Sequence, residues 1–277
     1  MSLTFASKST ELIKTIKLEI GKIFSILCEN QENCLNIFNE LKKFYRSSNN
    51  IFFFNNVFSF EPNFSIKDII KFLTLTYEVK EESDYYQILG KRIELNKKYK
   101  DLSSAEKILL SLFCLLITDY EYYILNLAEL NIENEIWYVL QKFKEKNKGC
   151  LIISNNPSSI EKISDHVYIT FELKLIDQGT PSDLVNKYVP KIFVEIFHSS
   201  PSKINEFIEA LSRKRGIDVI SYDDKEIKLE VEKVQDSLRR IFFSAEQTDF
   251  LITNISLFFP TLNEVYKVIK NKKIWET

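Results

Sequence analysis

Glycine is scarce in this sequence. There are 5 glycines among 277 residues, whereas an average usage of about 7% would give roughly 19. They are also dispersed, and no two are close neighbours in the chain. A loop that binds phosphate through several backbone N–H groups needs clustered glycines, because side chains keep the phosphate away from the backbone. The sequence therefore predicts that the chain has no glycine-rich phosphate-binding loop.

Residues that bind metals or form disulfides are also few. The 4 cysteines form no Cys-x-x-Cys pair, and only His166 and His198 accompany them. This spacing is not that of a zinc site. Neither histidine has a nucleophile with a base and an orienting group in its local sequence, so a structural role is favoured for both. We expect reduced, mostly buried thiols and no bound metal.

Long apolar segments and an excess of charge of one sign are absent as well. The longest apolar stretch, residues 108–117, is interrupted by Ser111 and is about half of the roughly 20 residues that a membrane span requires. The first residues lack the pattern of a secretory signal. The 37 basic and 39 acidic residues leave a net charge of -2, so a nucleic-acid or anionic-lipid partner would require a local basic patch. We expect a cytoplasmic chain with no nucleic-acid partner and no direct membrane insertion.

Apolar strands and amphipathic helices alternate along the first part of the chain. This alternation is typical of a parallel sheet flanked by helices. The predicted strands are 23–27, 51–54, 122–127 and 150–154, and the predicted helices are 35–41, 65–73, 103–116 and 133–146.

The pattern changes after Pro190. A predicted strand, a helix and a hairpin through Asp223 and Asp224 are followed by a helix, a strand and a helix. We predict an α/β domain over residues 1–190 and a small α+β domain over residues 191–277.

Four short segments follow one another in a recognisable order between residues 102 and 184. They resemble the signature, the Walker B strand, the switch region and the strand-to-helix ending of ATP-binding subunits of ABC transporters. The resemblance implies a P-loop NTPase-like mixed sheet with flanking helices and a helical subdomain at about 62–105. Residues 259–266 are similar to the C-terminal extension of the type-2 exporters in that family. The four segments are Leu102-Ser103-Ser104-Ala105-Glu106, 123–128, 151–157 and 176–184.

Residues 23–41 resemble the strand, P-loop and helix that open this domain in the family. An ungapped match to G-P-N-G-A-G-K-S-T places Cys34 at the phosphate-binding lysine and Leu35 at the hydroxyl that ligates magnesium. Glu29 and Glu32 add negative charge, which repels a triphosphate. This implies a degenerate Walker A motif that binds no ATP of its own. Its other altered positions are Cys28, Gln31, Asn33 and Asn36.

The remaining catalytic positions depart from the family in the same direction. Asn126 stands at the Walker B aspartate, and Leu127 stands at the glutamate that polarises the attacking water. Leucine cannot accept a proton. Asn155 takes the place of the switch histidine, and Phe60 or Glu61 takes the place of the glutamine that bridges magnesium and water. The resemblance therefore implies that the chain does not hydrolyse ATP.

The signature-like segment Leu102-Ser103-Ser104-Ala105-Glu106 departs least. Subunits of this family dimerise head to tail, and each nucleotide lies between one P-loop and the opposite signature. Ser103 and the following helix could thus complete the site of an intact partner, with ATP and magnesium at a shared site. The alternative is that Ser103 only caps the helix, with Glu106 completing a capping box.

The resemblance implies partners as well as a fold. It predicts a hetero-dimer with an intact ABC ATP-binding subunit, and an integral membrane permease of the type-2 class bound at the cytoplasmic face of a membrane. Ile69 and Phe72, in the predicted helix 65–73, are the candidates for permease contact. Two alternatives stay open: a freestanding protein-interaction module that reuses the fold, and a weak ATPase with an unconventional site.

Overall fold

The computed structural model divides the chain into two compact units. Residues 1–181 form the first unit and residues 182–277 form the second. The division falls between the last strand of the first sheet, which ends at Gly179, and the first strand of the second sheet, which begins at Ile192. The boundary predicted at Pro190 lies within the same connection. The structure describes residues 12–78, 89–118, 120–128 and 134–275.

The first unit is built on a six-stranded sheet. Its strand order is β2-β3-β4-β1-β5-β6, with β1 to β5 parallel and β6 antiparallel to β5. The predicted mixed, mainly parallel sheet is therefore confirmed. The strands are β1 (Ile23–Leu27), β2 (Ile51–Phe54), β3 (Tyr122–Asn126), β4 (Gly149–Ser154), β5 (His166–Phe171) and β6 (Lys174–Gly179).

Helices cover both faces of this sheet. On one face Ile37 and Leu41 belong to the same buried cluster as Ile26 of β1. On the other face Tyr123 of β3 packs its ring against Phe143, with 4.7 Å between the ring centroids. Burial on both faces explains why β1 and β4 are mainly apolar, with Ser25 and Ser154 as their polar residues. The helices are α1 (Gln31–Phe44), α2 (Ile66–Thr76), α3 (Ser104–Ile117), α4 (Asn134–Glu145) and α5 (Pro157–Glu161), with a short 3-10 helix at Tyr99–Asp101.

The helical subdomain predicted at about 62–105 contains α2 and the 3-10 helix before α3. Residues 79–88 of it lie outside the described residues. Helix α2 begins with a capping box between Ser65 and Asp68, in agreement with the helix start predicted at Ser65.

The second unit has a four-stranded antiparallel sheet in the order β10-β7-β9-β8. The predicted hairpin is confirmed, and the Asp223 carboxylate accepts hydrogen bonds from the N–H groups of Lys225 and Glu226 in its turn. Alternate residues of β7 and β9 face a core shared with the helices. The elements are α6 (Pro181–Tyr188), β7 (Ile192–His198), a 3-10 helix (Pro201–Lys203), α7 (Ile204–Ser212), β8 (Ile217–Tyr222), β9 (Glu226–Val231), α8 (Val234–Gln247), β10 (Ile252–Phe258) and α9 (Leu262–Trp275).

No helix in the described part of the chain is both long enough and apolar enough to span a bilayer.

Candidate functional site

The carboxyl ends of β1, β3 and β4 meet at one edge of the first sheet, which is where parallel sheets place their ligand sites. The backbone N–H of Cys28, after β1, donates to the Ser154 carbonyl at 2.9 Å. The N–H of Leu127, after β3, donates to the Ile153 carbonyl at 2.9 Å. Asn155 follows β4 directly. The structure therefore brings together the positions that the resemblance aligns with Walker A, Walker B and the switch.

The turn between β1 and α1 is very short. It contains only three residues, 28–30, because α1 already begins at Gln31. Asn30 is the N-cap, and its side-chain oxygen accepts a hydrogen bond from the Asn33 N–H at 2.9 Å. Its carbonyl accepts from the Cys34 N–H at 3.1 Å. These N–H groups are thus satisfied within the chain, and most of the segment aligned with the P-loop belongs to the first turns of the helix.

Cys34 lies in the core of the first unit. Its side chain is 0% exposed and belongs to the same buried cluster as Cys28 and Phe38. Burial raises the pKa of the Cys28 thiol well above its ordinary value, and the neighbouring Cys34 thiol raises it further. The Cys28 thiol is therefore neutral. By contrast Leu35 is 40% exposed, so the magnesium-ligand position carries an exposed aliphatic side chain. Gln31 and Asn36 are exposed as well.

The residues at the predicted Walker B positions are buried and make contacts within the protein. Asn126 is buried, and its Nδ2 donates to Oδ1 of Asn55 at 2.7 Å. Its Oδ1 accepts from the Ala128 N–H at 3.3 Å. Leu127 is buried in the core. The sequence offers no signal for the contact with Asn55, because the two residues are 71 positions apart.

The remaining predicted positions carry an aromatic ring, a carboxylate and an amide. The Phe60 ring packs edge-on against the rings of Phe58 and Tyr99, at 6.3 and 5.6 Å between centroids. Glu61 is exposed and Asn155 is half-buried. Within the described ranges, no three His, Cys, Asp or Glu side chains are grouped as metal ligands.

The signature-like segment forms the N-terminus of α3. The Ser103 hydroxyl accepts a hydrogen bond from the Glu106 N–H at 3.2 Å, and the Glu106 carboxylate accepts from the Ser103 N–H at 2.7 Å. The capping box that we considered as the alternative is therefore present. Leu102 anchors the segment in the core, while Ser103 and Ser104 are exposed and Ala105 is half-buried. A role in the site of a partner stays a prediction.

Lys97 supports this cap, and sequence reasoning missed it. Its ammonium lies 2.8 Å from both carboxylate oxygens of Glu106. Partial burial raises the pKa of Glu106, but the hydrogen bonds from Lys97 and Ser103 outweigh it and hold the pKa below its ordinary value. The carboxylate is therefore charged at neutral pH, which favours the N-terminus of a helix.

The two candidates for permease contact, both in helix α2, differ in exposure. Ile69 is buried in the core, so it holds the helix in place and offers no surface to a partner. This corrects the prediction that both residues contact a permease. Phe72 is 60% exposed and has the exposed Leu75 one turn away. The available apolar surface of α2 is therefore centred on Phe72.

Comparisons with known proteins give matches in structure only. A scan against protein-family models finds no match, and a search of curated proteins finds none. The chain is similar in structure to an ATP-binding subunit of an ABC transporter, with 13% identity, a TM-score of 0.46, and coverage of 62% of this chain and 84% of the other. It is also similar to the ADP conformation of an ATP-binding cassette of an ABC transporter, with 14% identity, a TM-score of 0.47, and coverage of 63% and 86%. A third match is a putative ABC transporter ATP-binding protein from Pyrococcus furiosus, with 16% identity, a TM-score of 0.43, and coverage of 51% and 82%.

Proposed function

We propose that this chain is a catalytically degenerate homologue of an ABC ATP-binding subunit and acts as the structural or regulatory member of a pair. The observation that carries the proposal is the turn after β1. It stands at the carboxyl edge of a parallel sheet, yet it is three residues long and leads into a helix whose Cys34 is buried. A chain with this sheet and this turn keeps the framework of a nucleotide-binding domain without the groups that grip a nucleotide.

The partner in this proposal is an ATP-binding subunit with an intact P-loop. The exposed N-terminus of α3 supports it, because Ser103 and Ser104 are accessible there and the N-terminus of a helix favours a phosphate oxygen across an interface. ATP and magnesium would then be held mainly by the partner. A type-2 permease completes the assembly at the cytoplasmic face of a membrane, with the surface around Phe72 as its contact.

The test is a tagged chain recovered from a detergent extract of its own cells. We expect a subunit with an intact Walker A lysine and a protein with several membrane-spanning segments to be recovered together. The purified assembly should hydrolyse ATP, and a Lys→Ala change in the partner's Walker A motif should abolish this activity. The isolated chain should show none. Turnover by the isolated chain, or recovery of soluble proteins alone, would contradict the proposal.

Phe72→Asp examines the permease contact within the same experiment. It should remove the permease from the recovered assembly and leave the intact subunit bound, because the side chain lies on the surface of α2. Lys71→Asp is the matched control, since it places the same charge on the neighbouring exposed position. Equal loss of the permease with both variants would argue for a nonspecific effect of charge on this helix.

A further inference from the structure

Helix α8 of the second unit exposes two adjacent phenylalanines. Phe242 is 54% exposed and Phe243 is 51% exposed. The preceding residue of the same helix, Ile241, is fully buried in the core of the unit. Arg239 precedes Phe242 by three positions and Phe243 by four, so it lies on the same side of the helix as both rings. An exposed pair of large apolar rings beside a cation is a feature that folding of this unit does not require, because the buried stripe of α8 already packs on the core.

Further cations surround these rings. The Lys214 ammonium lies 5.3 Å from the centroid of the Phe243 ring. Arg240 of α8 donates a hydrogen bond to the carbonyl of Arg215, which lies in the loop between α7 and β8. Arg215, Lys233 and Arg240 also line one surface cavity of about 350 Å³. We call this surface the basic–aromatic patch, and its members are Lys214, Arg215, Lys233, Arg239, Arg240, Phe242 and Phe243.

Carboxylates near the patch do not cancel its charge. Glu232 and Asp236 line the same cavity, and Glu246 lies one turn beyond the rings. Five cations against three carboxylates leave a local excess of positive charge on a chain whose net charge is -2. Among the described residues, no ion pair within 4.0 Å joins any of these five cations to a carboxylate. The cations are thus available to an external anion.

We propose that the basic–aromatic patch adsorbs to the surface of an anionic lipid bilayer. The cations attract the headgroups, and the two rings enter the headgroup layer, where an aromatic side chain buries apolar surface. A nucleic acid fits less well, because Glu232 and Asp236 line the cavity of the patch and would repel a phosphate backbone. The inference does not depend on the proposed function, since it needs neither a permease nor a nucleotide.

The test is co-sedimentation of the purified full chain with vesicles at low salt. We expect binding to phosphatidylcholine vesicles that contain phosphatidylglycerol, and none to phosphatidylcholine alone. Lys233→Gln with Arg239→Gln should lower the partition coefficient roughly 25-fold, since each cation contributes about fivefold. Phe242→Ser with Phe243→Ser should lower it about tenfold. High salt should weaken binding of the parent chain.

Matched double variants serve as controls elsewhere in the second unit. Lys267→Gln with Lys270→Gln removes two exposed charges from α9, and Phe258→Ser with Phe259→Ser removes two exposed rings at the end of β10. Both should bind vesicles as the parent chain does. Phe242→Leu with Phe243→Leu should retain binding.

Three results would overturn the inference. They are absence of binding to anionic vesicles, equal binding to both kinds of vesicle, and equal loss of binding in the patch and control variants. A labelled single-stranded oligonucleotide is measured in parallel. Binding to it without binding to vesicles would assign the patch to nucleic acid instead.

Discussion

Replacing Cys34 by lysine introduces the phosphate-binding lysine that the resemblance aligns with this position. We nevertheless expect the substitution to destabilise the protein. The side chain is 0% exposed and points into the core of the first unit. A lysine buried there has to lose its proton to become neutral. From an ordinary pKa near 10.4, this deprotonation costs about 4–5 kcal/mol at pH 7. Overpacking adds about 1–3 kcal/mol. The total of about 5–8 kcal/mol is comparable with the whole stability of many domains, which is about 5–15 kcal/mol.

The measurement is urea unfolding followed by circular dichroism, together with binding of a fluorescent ATP analogue in the presence of magnesium. Burial lowers the pKa of a lysine in the folded state, so the unfolded state binds more protons and the variant gains stability as pH rises. The gain should approach about 1.4 kcal/mol per pH unit between pH 7 and 9. The parent chain should lack this slope, and neither protein should bind the nucleotide.

Leu35→Lys is the matched control, because it places a lysine on the next residue of the same helix at a position that is 40% exposed. It should change the free energy of unfolding by no more than about 0.5 kcal/mol. The reasoning is refuted if Cys34→Lys is as stable as this control or binds the nucleotide. Either result would mean that residue 34 can face the carboxyl edge of the sheet and that the turn can be repaired.

Three further changes test the cap of α3 and the packing of the first sheet. Ser103→Ala removes the acceptor for the Glu106 N–H, and urea unfolding should show a loss of about 1 kcal/mol. The pKa of Glu106 is lowered in the folded state, so its stabilisation is complete above its ordinary value of 4.5 and is lost as pH falls through the lower folded value; Glu106→Gln should flatten the fall in stability below pH 4.5. Gly149→Ala should lower the melting temperature, because its Cβ would lie 2.5 Å from the ring of Tyr122 and 2.8 Å from a backbone carbonyl.

The serine and glycine changes each have a control in the chain. Ser104→Ala alters the exposed serine next to the cap and should leave stability within about 0.5 kcal/mol. Gly90→Ala brings a Cβ only against the flexible side chain of Leu95, at 3.2 Å, and should be tolerated. Equal effects of the two serine changes would show that the capping box does not stabilise α3. A melting temperature of Gly149→Ala at or above that of the parent would show that the contact at Tyr122 relaxes.

The capping box shows how far local pattern reaches. Ser103 and Glu106 are three residues apart, and the first turn of a helix brings such a pair together whatever the rest of the chain does. The mainly apolar strands β1 and β4 were predictable for a related reason, since a strand buried on both faces favours apolar residues at most positions. Strand β5 escaped prediction, because its histidine, tyrosine and threonine break the run, although the sheet buries most of them.

The sequence by itself determined the scarcity of glycine, the absence of a lysine at the Walker A position and the alternation of strands and helices. Those features depend on residue type and on spacing within a few residues. Only the tertiary structure decided that Cys34 faces the core, that Ile69 is buried while Phe72 is exposed, and that Asn126 is bound to Asn55. The direction of each of these side chains depends on which element packs against it, and the elements that meet here come from distant parts of the chain.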